Sequence, residues 1–336
     1  MNAWLRYIAG RLAYAIAVLI GVNLITFTLF FAVNTPDDMA RLNLGGKRVT
    51  PDAIEKWKAA RGYNKPLLLN TAASGTAVLT DTIFYERSLQ LFVFDFGISD
   101  AGRDIGRDIL DRAAPSLAVA APSFVLGMGL AITVGLGLAL FRYSTIDRVG
   151  VVVLVVMLSI SGMFYIVFGQ WFFAKMLALV PVSGYAAASE SALSAWRFLI
   201  LPLVIGLIAG LGGHARMYRT FFIEEADKDY VRTARAKGLS EWAVMTRHVL
   251  RNALIPILTG AVAVIPLLFT GSLLMESFFG IPGLGSYVIE AINAQDFAIV
   301  RAMVFLGAAL TVLGYTLTDI SYAWADPRIK IVEAES

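Results

Sequence analysis

The densest collection of groups able to do chemistry lies in residues 223–259, IEEADKDYVRTARAKGLSEWAVMTRHVLRNALIPILT. Counting Arg216 and Arg219 just ahead of it, the run holds eight Lys/Arg against five Asp/Glu. No nucleophile stands with a base in it. The only two histidines, His214 and His248, lie beside and inside the run, and cysteine is absent, which removes disulfides and thiolate chemistry. No G-x-x-x-x-G-K-S/T phosphate loop occurs anywhere. Mixed charge without catalytic spacing fits a surface for recognition better than an enzyme. Three further polar residues, Gln170, Glu276 and Asp319, sit in apolar surroundings. Such groups are costly in hydrocarbon, so they either line a solute pathway or pair inside a bundle.

The elements that must position these residues follow from composition. Hydrophobic residues make up 58% of the 336 residues and charged residues 16%, with a mean hydropathy of +0.70. The apolar residues come in blocks of about 20 or more, the length needed to cross ~30 Å of hydrocarbon. A formal charge of +3 gives no footing for nucleic acid. The chain reads as an all-α polytopic membrane protein with six transmembrane helices, at about 12–33, 117–141, 149–180, 198–213, 254–279 and 300–323.

Residues 1–33 are an N-terminal segment and first span, in which Asn23 and Thr26 are read as bonding within the protein. Residues 34–115 form a large extracytoplasmic loop with eleven basic and eleven acidic residues; a loop this long crosses whatever its charge. Within it Thr50 suits an N-cap, Pro51 the first helical position and Gly62 the stop. Residues 85–96 are aromatic but too short to span. Residues 116–325 form a five-helix core. Gly127, Gly129, Gly135 and Gly137 on the second span allow close helix approach, and Pro202 can kink the fourth. Residues 326–336 form a tail. The short loops near Arg142, Arg216–Arg251 and Arg328 are basic and the opposite ones are not, which puts both termini in the cytoplasm.

The charged run then falls on the cytoplasmic side between spans four and five, as a loop over 221–253. It reads as one helix over 224–237, a left-handed stop at Gly238, an N-cap at Ser240 and a second short helix over 241–252. Trp242, Met245 and Val249 would form one apolar face, with Arg247 and Arg251 turned elsewhere. Ala234 and Ala236 are small enough for another protein to approach their backbone. A docking knob and an amphipathic hairpin on anionic headgroups fit this pattern equally well.

DYVRTARAKGLS followed by LRNALIP resembles the coupling loop of the membrane subunits of binding-protein-dependent ABC importers. It is most similar to the first, B-type, subunit of the dipeptide/oligopeptide permease branch. The resemblance extends to ESFFGIPGLG at 276–285, DISYAWADPRI at 319–329, and more loosely to the first span and TPDAIEKWKAARGYNKPLL at 50–68. Aligned on Gly238, Arg232-Thr233-Ala234 stands where the general pattern has Glu-Ala-Ala, and residues 70–94 are longer than in typical relatives.

The resemblance implies a permease subunit that pairs with a second homologous permease, two cytoplasmic ATPase subunits and an extracytoplasmic solute-binding protein in a bacterial-type inner membrane. ATP would be bound by the partners and no cofactor by this chain. The coupling role would fall on Asp229, Arg232, Thr233, Ala234, Ala236, Gly238, Leu239 and Ser240, and a pathway on Gln170, Glu276 and Asp319. The competing reading is a transporter or channel driven by an ion gradient through Glu276 or Asp319.

Overall fold

The computed structural model describes residues 3–45, 49–185 and 192–325 and contains only helices and turns among them, apart from one isolated bridge between Ile98 and Asp104. In chain order the helices are α1 (Ala3–Phe27), α2 (Pro36–Asn43), α3 (Pro51–Arg61), α4 (Ala77–Thr80), α5 (Ile83–Arg87), α6 (Ile105–Leu140), α7 (Thr145–Ser159) and α8 (Gly162–Gly169). They continue with α9 (Ala192–Ala226), α10 (Asp229–Ala236), α11 (Glu241–Val244), α12 (Leu250–Val264), α13 (Leu273–Phe279), α14 (Leu284–Asn293) and α15 (Phe297–Ala325). Among the described residues, five helical stretches are long and apolar enough to cross a membrane, and a sixth forms if a bent pair is counted as one. The expected tail at 326–336 and much of the loop after span three lie outside the described residues.

Four boundaries differ from the sequence expectation. The second spanning helix begins at Ile105, well before residue 117, and carries Pro115 and Pro122 inside it. The third is not one helix. α7 and the segment Gly162–Met176 meet at 89°, because Ile160 and Ser161 adopt extended backbone (ψ 130° and 139°) in a Ser-Ile-Ser-Gly sequence with poor helix propensity. The fourth span is not short: it covers Trp196–Ala226. Its polar-looking second half continues as helix because Ala215, Tyr218, Phe222 and Ala226 form one buried stripe. The fifth runs Glu241–Thr270 and stops at Gly271 (φ +68°, ψ −173°), a conformation reserved for glycine.

The chain divides into two compact units. The first comprises Met1–Ala113 with Tyr287–Thr316. Its core gathers Phe27, Phe31, Met39, Trp57, Tyr63 and Ile83, so the long loop is folded around apolar residues of its own and of the end of the first span. α3 starts behind Thr50 and Pro51 and ends at Gly62 (φ +71°), as read from the sequence, although the Thr50 hydroxyl does not cap it. α2 is held by a capping box in which Thr35 and Asp38 satisfy each other's backbone N–H. Asn23 donates to the Ser88 carbonyl at 3.0 Å, and Phe92 packs edge-on against Phe305 at 5.3 Å. The 85–96 stretch is therefore packed rather than spanning.

The second unit comprises Ala114–Ser286 with Leu317–Ser336. Here α7 and α9 touch backbone to backbone. A Cβ on Gly212 would lie 2.7 Å from the Leu154 carbonyl and 2.8 Å from the Leu158 nitrogen. Gly135 of α6 is as tight, 2.9 Å from the Ala215 carbonyl. Gly129 and Gly137, by contrast, face open space. Overpacking at such a point costs about 1–3 kcal/mol. Gly212→Ala should therefore lower the thermal midpoint of the purified protein, whereas Gly213→Ala, whose Cβ would meet only Leu158 Cδ1 at 3.6 Å, should leave it unchanged or raise it.

Candidate functional site: the loop between spans four and five

α9 ends at Ala226, and the chain turns through Asp227 and Lys228 into α10, an eight-residue helix. A helix this short has no independent stability. Its amphipathic pattern seats it instead: Val231 and Ala234 are buried in the cluster that also holds Phe222, Ala226, Val244, Met245 and Val249. Lys237 closes the helix, Gly238 takes φ +80°, and the Ser240 hydroxyl accepts from the Ala243 N–H at 3.4 Å to start α11.

Arg235 ties this turn together. Its Nε donates to Glu241 Oε1 at 2.8 Å and its Nη1 to the Ala226 carbonyl at 3.3 Å. The helix end before α10 and the helix start after it are thus joined by one side chain. Arg142 adds a bond to Asp227 at 2.9 Å. Burial, and then a hydrogen bond to Glu225, hold the Tyr230 hydroxyl above its ordinary pKa.

Of the eight residues assigned to coupling, Asp229, Arg232, Thr233, Ala236, Gly238, Leu239 and Ser240 are exposed. Ala234 is 5% exposed and packs against the protein's own core, so it offers no surface to a partner. The second helix also departs from expectation. It does not close at Asn252 but continues through a π-helical turn (Met245–Val249) into α12 and the fifth span. Met245 and Val249 are buried as expected, but Trp242 is 63% exposed, and Val244 completes the buried face. Arg247 and Arg251 are exposed.

Beneath the loop stands a pair that the sequence reading did not single out. Arg219 Nε and Nη2 donate to Asp147 Oδ1 and Oδ2, both at 2.7 Å, in a bidentate fork. Asp147 also accepts from the Tyr143 N–H at 3.1 Å, and its own N–H donates to Ser144 Oγ at 3.2 Å. The only signal was Ser144 three residues ahead of Asp147, an N-cap spacing. Nothing in the sequence pointed across 72 residues to Arg219.

The three residues that the sequence reading offered as a pathway, Gln170, Glu276 and Asp319, are all engaged within the protein. Gln170 Nε2 donates to the carbonyls of Val182 and Phe278, each at 3.0 Å. Asp319 is partly buried and has an interaction within the protein. Glu276 is 2% exposed; Oε1 accepts from Ser116 Oγ at 2.8 Å and the Ser272 N–H at 3.1 Å, and Oε2 from the Ser286 N–H at 3.1 Å. Gln170 and Glu276 both bear on α13, one through a backbone carbonyl and one as a member of it.

Residues 129–331 match the family model described as binding-protein-dependent transport system inner membrane component, and residues 4–90 match the model for the N-terminal part of such components. The chain is 32% identical over 326 residues to a Brucella abortus protein provisionally named a peptide transport system permease, covering 96% of this chain and 98% of the relative. It is 31% identical to a di/tripeptide transport system permease protein of Pseudomonas aeruginosa, over 97% of this chain and 99% of the relative. It is 28% identical to a dipeptide transport system permease protein of Bacillus subtilis, over 97% and 98% of the two chains.

Removing one partner of a buried ion pair strands the other, at a typical cost of about 3 kcal/mol. Asp147→Asn should lower the thermal midpoint of the detergent-solubilised protein by several degrees. Adding Arg219→Gln should recover part of the loss, because the stranded charge is then gone; a double variant worse than the sum of the singles would contradict the pairing.

Proposed function

The chain belongs to the binding-protein-dependent transport system inner membrane components, and from that premise we propose that it is the permease subunit of an ABC importer that carries peptides across the cytoplasmic membrane. The peptide substrate is supported by the names of relatives that align along nearly their whole length. Membership implies partnership with an ATPase and a solute-binding protein. The finer assembly we infer is one copy of this chain beside a second homologous permease, two ATPase subunits beneath and the binding protein outside. In this reading the loop over 221–253 faces the cytoplasm together with both termini, and residues 34–115 face the outside. The six crossings are the five long helices and the bent α7–α8 segment.

The observation that carries the coupling role is the division of α10 into two faces. Val231 and Ala234 bind it to the core, while Asp229, Arg232, Thr233 and Ala236 stand clear of it. ATP binding would close the ATPase pair and displace this helix. Arg235 would pass the displacement to Ala226 on one side and Glu241 on the other, and so to spans four and five. The reading of an ion gradient through Glu276 or Asp319 loses support because the matched family is one of binding-protein-dependent transport components.

Gly238 provides the test. Its left-handed backbone disfavours any side chain by about 1 kcal/mol or more, although no heavy atom lies within 4 Å of where a Cβ would stand. Gly238→Val should therefore insert into the membrane normally yet lose peptide uptake and peptide-stimulated ATP hydrolysis in the assembled complex. Uptake at the parent rate, or a tagged parent protein that never brings an ATPase with it on gentle solubilisation, would sink the reading.

A further inference from the structure

Two cavities in the second unit share a wall. One, of about 190 Å³, is bounded by Ser116, Pro202, Met275 and Glu276. The other, of about 80 Å³, is bounded by Gly127, Gly210, His214 and Tyr218. Ser123 and Gly206 line both, so the two form one groove between α6 and α9. On α9 the lining residues Pro202, Gly206, Gly210, His214 and Tyr218 recur every fourth position, so each lies about one turn beyond the last in a stripe that winds gradually round the helix. From Pro202 to Tyr218 this stripe extends about 24 Å at 1.5 Å per residue, most of a ~30 Å hydrocarbon layer. The larger cavity has many times the ~10–15 Å³ that one water requires.

Two polar groups give the groove a preference. Glu276 is the only carboxylate among the residues lining either cavity, and neither Lys nor Arg is among them. Behind it the backbone closes in: a Cβ on Gly271 would lie 2.1 Å from its Oε1 and one on Gly283 2.3 Å from its Oε2. All three of its partners donate, and a carboxylate has about four acceptor positions, so one remains for a further donor. Ser123 lines both cavities, and its hydroxyl oxygen is buried without a hydrogen-bond partner. A cavity holding a single negative charge and an unmet hydroxyl favours an occupant that is positive and rich in donors.

We propose that this groove holds the amino end of a peptide in transit, with Glu276 as the counter-charge to the α-ammonium group and Ser123 accepting a hydrogen bond from it. This rests on the peptide-import reading. Glu276 thereby has two functions, anchoring the turn before α14 and presenting a charge to the groove.

The chain has no cysteine, so Ser123→Cys places its single thiol at the junction of the cavities. In the assembled importer, supplied with ATP, this thiol should react with a trimethylammonium methanethiosulfonate faster than with the sulfonate reagent of the same length, by about ten-fold after correction for their rates with free cysteine. Adding Glu276→Gln should bring the ratio close to one, and excess peptide with a free amino terminus should slow the labelling. Equal rates, or no labelling in any state, would mean that lipid or a neighbouring permease helix fills the groove, and would overturn the proposal. A persistent charge preference without protection by peptide would overturn the solute assignment. The reagent ratio requires no solute, so failure of the parent complex to import peptide would strike the peptide reading alone and leave the ratio to judge the site.

Discussion

Apolar burial gives helices in lipid little reason to associate, so spans join where backbones can touch and polar groups can close on each other. In the second unit both occur on α9. Gly212 brings its backbone against the Leu154–Leu158 turn of α7, and Gly135 does the same from α6 against Ala215 and Arg219. The Asp147–Arg219 fork then fixes the register of α7 on α9. Everything built at that end of α9 depends on this seat. Tyr218, Phe222 and Ala226 continue the same buried stripe, and Val231 and Ala234 of α10 add to it. The short helix has its orientation only because the longer one beneath it is pinned.

A second local constraint acts through Glu276. One carboxylate accepts from Ser116 on α6, from the N-cap residue of α13 and from Ser286 on α14. That is why glycine recurs around it, at Gly271 and again within ESFFGIPGLG. Gly271 and Gly283 have no room for a Cβ beside the carboxylate, Gly280 (φ +65°) ends α13, and a Cβ on Gly285 would lie 2.6 Å from the Ser272 carbonyl carbon. A buried acid normally incurs a large desolvation cost. Here three donors offset that cost, and the glycines allow them to reach it.

What the sequence conveyed and what it withheld divide along physical lines. Local signals were legible: the left-handed stop at Gly238, the Ser240 cap and the Pro51 to Gly62 helix rest on backbone preferences confined to a few residues. So was the class of the chain, which hydropathy determines. Lost were features decided at a distance. Hydropathy placed the end of span four near residue 213, but tertiary burial carries the helix on to Ala226. Trp242 shares a helical face by spacing with Met245, yet the π-helical turn after it leaves the indole exposed while Val244 is buried. Glu276 was noticed as an expensive acid, but its partner Ser116 lies 160 residues away and left no trace in local pattern. Ala234 was judged by its size alone, when the seat for α10 needed a small residue facing inward.

The continuity of α11 with the fifth span changes how the loop can work under its proposed role. Two short helices joined by Gly238 would form a soft tip, because no side chain packs on the turn where a Cβ would stand and it resists bending little. The actual arrangement bypasses the tip. α11, the Met245–Val249 turn and α12 form one helical path into the membrane, and α9 supplies the other. Arg235 links the two paths across the glycine, while Val231, Val244 and Val249, each wholly buried, fill the space between them. Close-packed interiors transmit displacement because they have few voids to absorb it. A force applied to α10 would therefore travel through its buried face and the Arg235 fork, and Gly238 sets the geometry of the turn on which that fork depends. The exposed residues determine what binds, and the buried ones determine whether binding moves the spans.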